Sequence, residues 1–134
     1  MVCIQCGSET QVFNSRLQKR TNQVWRRRKC LGCGIAFTTH EITDLSGSVT
    51  VRNKEGGLAP FSRDKLLFSL YASLQHRPSA AHDASALADT VIARLLTQAH
   101  RSVIEDTSII NTVYVVLTRF DTAASVHYQA FHKL

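Results

Sequence analysis

The 134-residue sequence has no spare cysteine, two prolines, one tryptophan and one methionine. It also has no long hydrophobic run. Its apolar stretches are short and interrupted, well under the roughly 20 residues that a membrane-spanning helix needs, so no membrane partner is expected. The first residues lack an apolar signal-peptide core, which points to a soluble protein of a reducing compartment, the cytoplasm. No Walker-type G-x-x-x-x-G-K-[ST] loop occurs, nor a Ser/His/Asp arrangement, nor a paired-carboxylate constellation. The chain therefore reads as a binding protein and not an enzyme. There is no internal repeat and no low-complexity segment. The six histidines (His40, His76, His82, His100, His127, His132) have no mutual metal spacing and are read as non-ligands.

What is present is concentrated at one end. All four cysteines fall in two C-x-x-C pairs, Cys3/Cys6 and Cys30/Cys33, separated by 23 residues. Two such knuckles bring four thiolates to one point, the ligand set of a tetrahedral structural zinc with Zn–S bonds of roughly 2.3 Å. The intervening length suits a β-hairpin carried between the knuckles. Gly7 and Gly34 follow each knuckle, where a tight turn aims backbone N–H groups at sulfur. Two disulfides or redox pairs are the alternative, but no secretory signal and no βαβ pattern accompanies them. A module of about 45 residues is too small to stand on its apolar core, so one structural Zn²⁺ supplies its folding energy.

The net charge of +6 is uneven. Residues 1–48 hold seven cations (Arg16, Lys19, Arg20, Arg26, Arg27, Arg28, Lys29) against three acids (Glu9, Glu41, Asp44), whereas residues 49–134 hold nine against seven. Positive charge gathered on a small rigid module is the footprint of a polyanion, most simply nucleic acid; a merely solvated basic face is the alternative. The hydrophobic and β-branched pattern predicts strands over 11–17, 24–29 and 36–42. Along a strand, Arg26 and Arg28 then face one way and Arg27 and Lys29 the other. Trp25 covers the small core or stacks on a partner.

Asp44-Leu45-Ser46-Gly47-Ser48 reads as a linker, dividing a ribbon (1–45) from a second domain (49–134). There, Val49–Asn53 and Leu58–Phe61 predict a hairpin turning at Lys54-Glu55-Gly56-Gly57. Ser62 caps a helix with Leu67, Leu70, Tyr71 and Leu74 as its inner stripe. A second helix (83–99) turns Leu87, Val91, Leu95 and Leu96 inward. A third, from about residue 107, does so with Ile110, Val113, Leu117 and Phe120, and a fourth, from 121, with Ala124, Tyr128 and Phe131. The fold class is α+β: a β zinc ribbon followed by a hairpin-capped helical domain.

The run Cys3-x-x-Cys6, Asn14-Ser15-Arg16, Arg26-Arg27-Arg28-Lys29-Cys30-x-x-Cys33-Gly34-x-x-Phe37-Thr38-Thr39-x-Glu41 resembles the NrdR-type transcriptional repressors of ribonucleotide reductase genes. The second part resembles the ATP-cone that follows the ribbon in that family: Val51 to Gly56, Pro60-Phe61-Ser62-Arg63-Asp64-Lys65-Leu66, Arg77-Pro78-Ser79, and a fainter Asp121-x-x-Ala124-Ser125-x-x-Tyr128. The resemblance implies a repressor that binds double-stranded operator DNA at the nucleoid. It places zinc on Cys3, Cys6, Cys30 and Cys33, and DNA contact on Arg16 and Arg26–Arg28, with Lys19, Arg20 and Lys29 in the same basic set. It implies ATP or dATP held by Val51, Arg52, Lys54, Gly56, Arg63 and Lys65, with the nucleotide controlling a homo-oligomer. Lys65 in the first turn of a helix is electrostatically misplaced unless an anion sits there.

Several positions depart from the family pattern. Asn53 stands where a lysine is usual, Leu58 where a basic residue is, and Ala59 where a glutamate is. Asn14 replaces an aspartate, and His127 and His132 replace Arg and Tyr. The alternative reading is a basic zinc-ribbon nucleic-acid-binding protein whose degenerate cone serves only for oligomerisation.

Overall fold

Alternating β-branched, aromatic and cationic residues leave the first third no continuous apolar face on which a helix could pack. It forms strands instead. The computed structural model describes residues 1–133. The chain divides into two units, Met1–Thr43 and a second beginning at Asp44.

In the first unit, β1 (Thr10–Gln18), β2 (Gln23–Cys30) and β3 (Ala36–Glu41) form an antiparallel sheet in the order β1-β2-β3. The register shifts between Val12 and Asn14, so Phe13 is the extra residue of a bulge and projects into solvent. Cys3, Cys30 and Phe37 are the buried residues of this unit, which leaves a single large apolar side chain to pack.

The second unit has a real core. Asp44 caps a single turn, α1 (Leu45–Ser48), by accepting the N–H groups of Ser46 and Gly47. The predicted linker is thus structured by its aspartate. β4 (Thr50–Arg52) and β5 (Leu58–Pro60) form the hairpin. Four helices follow: α2 (Arg63–Leu74), α3 (Ala80–Gln98), α4 (Asp106–Phe120) and α5 (Thr122–Phe131). Ser62 caps α2 through the Lys65 N–H, and Asp121 caps α5 through the Ala124 N–H. Between α3 and α4 lies a strand that the sequence reading missed, β6 (Val103–Glu105), paired parallel to β4. Leu70, Leu74, Val91, Leu95, Val113 and Leu117 are fully buried between the helices.

Four expected core residues lie outside. Tyr71 is 41% exposed, Leu96 43%, Phe120 42% and Phe131 74%. On α2 the buried stripe is Leu66, Leu70, Ser73 and Leu74, a spacing of i, i+4, i+7 and i+8 that turns Tyr71 away from the core. Phe120 sits at the end of α4 under the Arg77 guanidinium, 4.8 Å from its ring centroid, a cation–π contact that suits a half-exposed ring. Phe131 lies beside the His127 ring, 5.0 Å between centroids. Arg77 also donates to Asp83 (2.9 Å) and Asp121 (3.0 Å), tying the start of α3 to the α4–α5 corner.

Candidate metal centre and nucleic-acid interface

The two knuckles converge so that the four cysteine Sγ atoms all lie within 4.8 Å of one another. Cys3 Sγ is 3.7 Å from Cys33 Sγ, and Cys6 Sγ is 3.4 Å from Cys30 Sγ. A tetrahedral zinc with 2.3 Å bonds sets neighbouring sulfurs about 3.8 Å apart. All four are free thiols, and these close pairs join one knuckle to the other, which argues against a disulfide within either. Gly7 (φ +72°) and Gly34 (φ +77°) turn the chain back after each knuckle. The N–H of Gln5 points at Cys3 Sγ, and those of Gly32 and Cys33 point at Cys30 Sγ, at 3.2–3.4 Å.

The electrostatics fit a cation. The Ser8 hydroxyl and backbone pull the Cys6 thiol down to about 6. Backbone N–H groups of Cys6 and Gln5 hold Cys3 below its ordinary value. At Cys33 the Ile35 N–H works in the same direction but is outweighed by desolvation and the neighbouring sulfurs, which push it up to about 11. Crowded thiolates repel one another, and a divalent ion at their centre would balance that charge. The donor set fits a closed structural zinc site, in which Cys3, Cys6, Cys30 and Cys33 would hold the ion and tie the two knuckles together. Gly32 is a further requirement. A Cβ there would lie 2.6 Å from Ser8 Oγ and 3.6 Å from Cys6 Sγ. The sequence signal for it was the second position between two cysteines, where Leu31 is free to project and Gly32 is not.

The register fixes which face each cation occupies. Arg26 pairs with Ser15 and Thr39, and Arg28 with Val12 and Phe37; cross-strand partners share a face. On that side Arg26 donates to Glu41 (3.0 Å) and Arg28 to Thr39 Oγ1 (3.3 Å). The other side carries Arg27 opposite Asn14 and Thr38, Lys29 opposite Gln11 and Ala36, and Arg16 opposite Trp25, which faces His40. Arg27 donates to Thr38 Oγ1 at 2.9 Å. No carboxylate stands on this second side at any of those positions. Lys19 and Arg20 lie in the β1–β2 turn. Thr38 and Thr39 are the orienting residues that charge counting overlooks; their signal is the cross-strand register with the arginine run.

In the second unit the predicted nucleotide residues have mixed situations. Arg52 is paired with Glu105 across the β4–β6 register (3.2 Å). Arg63 is paired with Asp89 (2.8 Å) and also donates to the Ser85 hydroxyl and carbonyl. Val51 is half-buried in the sheet, and Gly56 takes the left-handed turn at φ +85°. Lys54 and Lys65 make no ion pair among the described residues. Asn53 is committed to the hairpin turn: its Oδ1 accepts the N–H groups of Glu55 (3.0 Å) and Gly57 (2.7 Å). The structure thus gives the asparagine a local role that a lysine there lacks.

Comparison with known proteins agrees with this layout. The family model "Transcriptional repressor NrdR-like, N-terminal domain" matches residues 1–41. The chain is 34% identical to a transcriptional repressor NrdR of Afipia carboxidovorans, over 99% of this chain and 84% of that protein. It is 35% identical to one of Opitutus terrae, over 99% and 87%, and 37% identical to one of Symbiobacterium thermophilum, over 77% and 68%. A zinc-ribbon cysteine cluster, the matched ribbon and near full-length similarity lead to one conclusion: the chain belongs to the NrdR family, which consists of transcriptional repressors and not of enzymes.

Proposed function

We propose that this chain is a zinc-dependent repressor that binds operator DNA through its ribbon, with ribonucleotide reductase genes as its targets. Adenine nucleotide, ATP or dATP, governs its oligomeric state. The observation that carries the reading is the central strand β2, whose cations emerge on both faces of a sheet anchored by four clustered thiols. Arg16, Arg27 and Lys29, on the face without a carboxylate, meet phosphates and guanine edges, since a guanidinium donates bidentately to either. Arg26 and Arg28, held by Glu41 and Thr39, contact the duplex from the sheet's other side. Lys19 and Arg20 extend the basic track along the backbone. An operator repeat read by several ribbons gains avidity when the second units associate, so an effector that changes assembly changes occupancy. The place of action is the cytoplasm, at the nucleoid.

The test is binding of duplex DNA by Arg27→Ala and Arg28→Ala beside the parent protein. Lost duplex binding supports the reading. Unchanged duplex binding with lost RNA or protein binding refutes it.

One observation favours a second reading of the nucleotide unit. Two of its four predicted cations, Arg52 and Arg63, are already paired with carboxylates, and Asn53 is consumed by the turn. Lys54 and Lys65 then remain as the phosphate contacts. Calorimetry with ATP and dATP, with oligomer size followed by light scattering, separates the two. Micromolar binding with a change of assembly supports nucleotide control. No binding at millimolar nucleotide leaves a degenerate cone that only oligomerises.

A further inference from the structure

Away from every residue assigned above, the C-terminal half of α3 and the N-terminal half of α4 enclose an open recess of about 260 Å³, lined by Arg94, Gln98, Ser108, Asn111, Thr112 and Val115. Five of these six side chains are polar. Thr112 is only 7% exposed, yet among the described residues its hydroxyl has no hydrogen-bond partner in the protein. No side-chain polar atom is sealed from solvent without a partner, so that hydroxyl reaches the open recess. The side chains of Arg94, Gln98, Ser108 and Asn111 likewise make no hydrogen bond or ion pair among the described residues. Arg94, itself half-buried, together with these amides and hydroxyls makes a donor-rich site with its capacity unspent. Arg52, Arg63 and Arg77 of this unit each hold a carboxylate; Arg94 instead stands among neutral polar side chains.

We propose that this recess is a binding site for a small oxyanion-bearing molecule, a carboxylate or a phosphate ester. Arg94 supplies the charge, Thr112 and Ser108 donate from the floor, and Gln98 and Asn111 close the rim. The recess, about 260 Å³ and open to solvent, admits an oxyanion head and a few further atoms. On the α4 surface, residues 108, 111, 112 and 115 fall on one face by helical spacing. The ligand therefore bridges α3 and α4, and it is separate from the residues assigned to nucleotide.

The test is an NMR titration of the zinc-loaded full chain with inorganic phosphate and, separately, with acetate. Saturable shifts are expected at amides of the last turns of α3 and the first turns of α4. Preference for phosphate assigns a phosphorylated ligand, and preference for acetate a carboxylate. Arg94→Gln breaks no protein contact, so the variant remains folded; it is expected to weaken binding about ten-fold, the loss of one charge-assisted hydrogen bond. Thr112→Val, close in shape, weakens binding less. Shifts that do not saturate, that map only to the ribbon cations Arg26–Lys29, or that persist unchanged in Arg94→Gln overturn the proposal.

Discussion

Stripping the metal with a strong chelator should unfold residues 1–43 and leave the helical unit standing. The ribbon buries one large apolar side chain, Phe37, a contribution of about 1.5–3 kcal/mol. Fixing the backbone of a single residue costs about 1–2 kcal/mol, so a sheet of three strands cannot rest on that ring. A structural zinc contributes about 10–16 kcal/mol to a module of this kind and decides the outcome. The second unit has a core of its own, with six fully buried Leu and Val side chains. Its helices of 12, 19, 15 and 10 residues produce the helical far-ultraviolet signal, to which the ribbon contributes none. The lone tryptophan, Trp25, lies in β2 and reports on the ribbon alone. Chelation should therefore shift Trp25 fluorescence to the red while helical circular dichroism stays nearly constant. Readdition of zinc should reverse the change. Loss of the helical signal together with the Trp25 change would refute the reasoning, because it would make the metal a support of both units.

Three further outcomes follow from particular contacts. Gly32→Ala forces a Cβ to within 2.6 Å of Ser8 Oγ and should weaken zinc binding about ten-fold, the usual order for a disturbed neighbour of the ligands, as read by chelator competition. The carboxyl of Asp121, held by the Ala124 N–H, His76 and Arg77, is pulled from its ordinary 3.8 to about 2. Its contribution to stability is then present above pH 3.8 and lost as pH falls toward 2, where the unfolded state binds the proton first. Asp121→Asn should flatten that acid limb in denaturant unfolding of the second unit, while retaining the helix cap. Leu117→Ala, at a fully buried site, should destabilise the second unit by about 2–5 kcal/mol in urea unfolding and leave zinc affinity unchanged.

The cysteine spacing, the alternation of cations along β2 and the serine cap of α2 were legible because each is a local rule. Spacing sets a metal site, period two sets a face, and a hydroxyl three residues before an amide sets a helix start. β6 was not legible, since three residues with no turn signal of their own become a strand only when β4 offers a parallel edge. The exposed ring of Phe120 was missed for a similar reason. Its partner, Arg77, is 43 positions away, and a helical pattern counts only neighbours on its own helix. The bulge at Phe13 belongs to pairing register and not to composition. The opposite assignments of Arg26 and Arg27, one beside Glu41 and the other on a carboxylate-free face, emerged once the strands were aligned. The recess between α3 and α4 was hidden because Arg94 and Thr112 are 18 positions apart, and neither stands out in a sequence motif.

The most direct test of the central claim is the salt dependence of duplex DNA binding by the zinc-loaded chain, measured by fluorescence anisotropy on DNA from upstream of a ribonucleotide reductase gene. With about four of the ribbon's cations on phosphates, log affinity should fall against log salt with a slope of about −3 to −4 per ribbon, and Arg27→Ala should reduce that slope by about one. A flat salt response, or one that Arg27→Ala leaves unchanged, would contradict the assignment of the ribbon's basic strand as the DNA-binding surface.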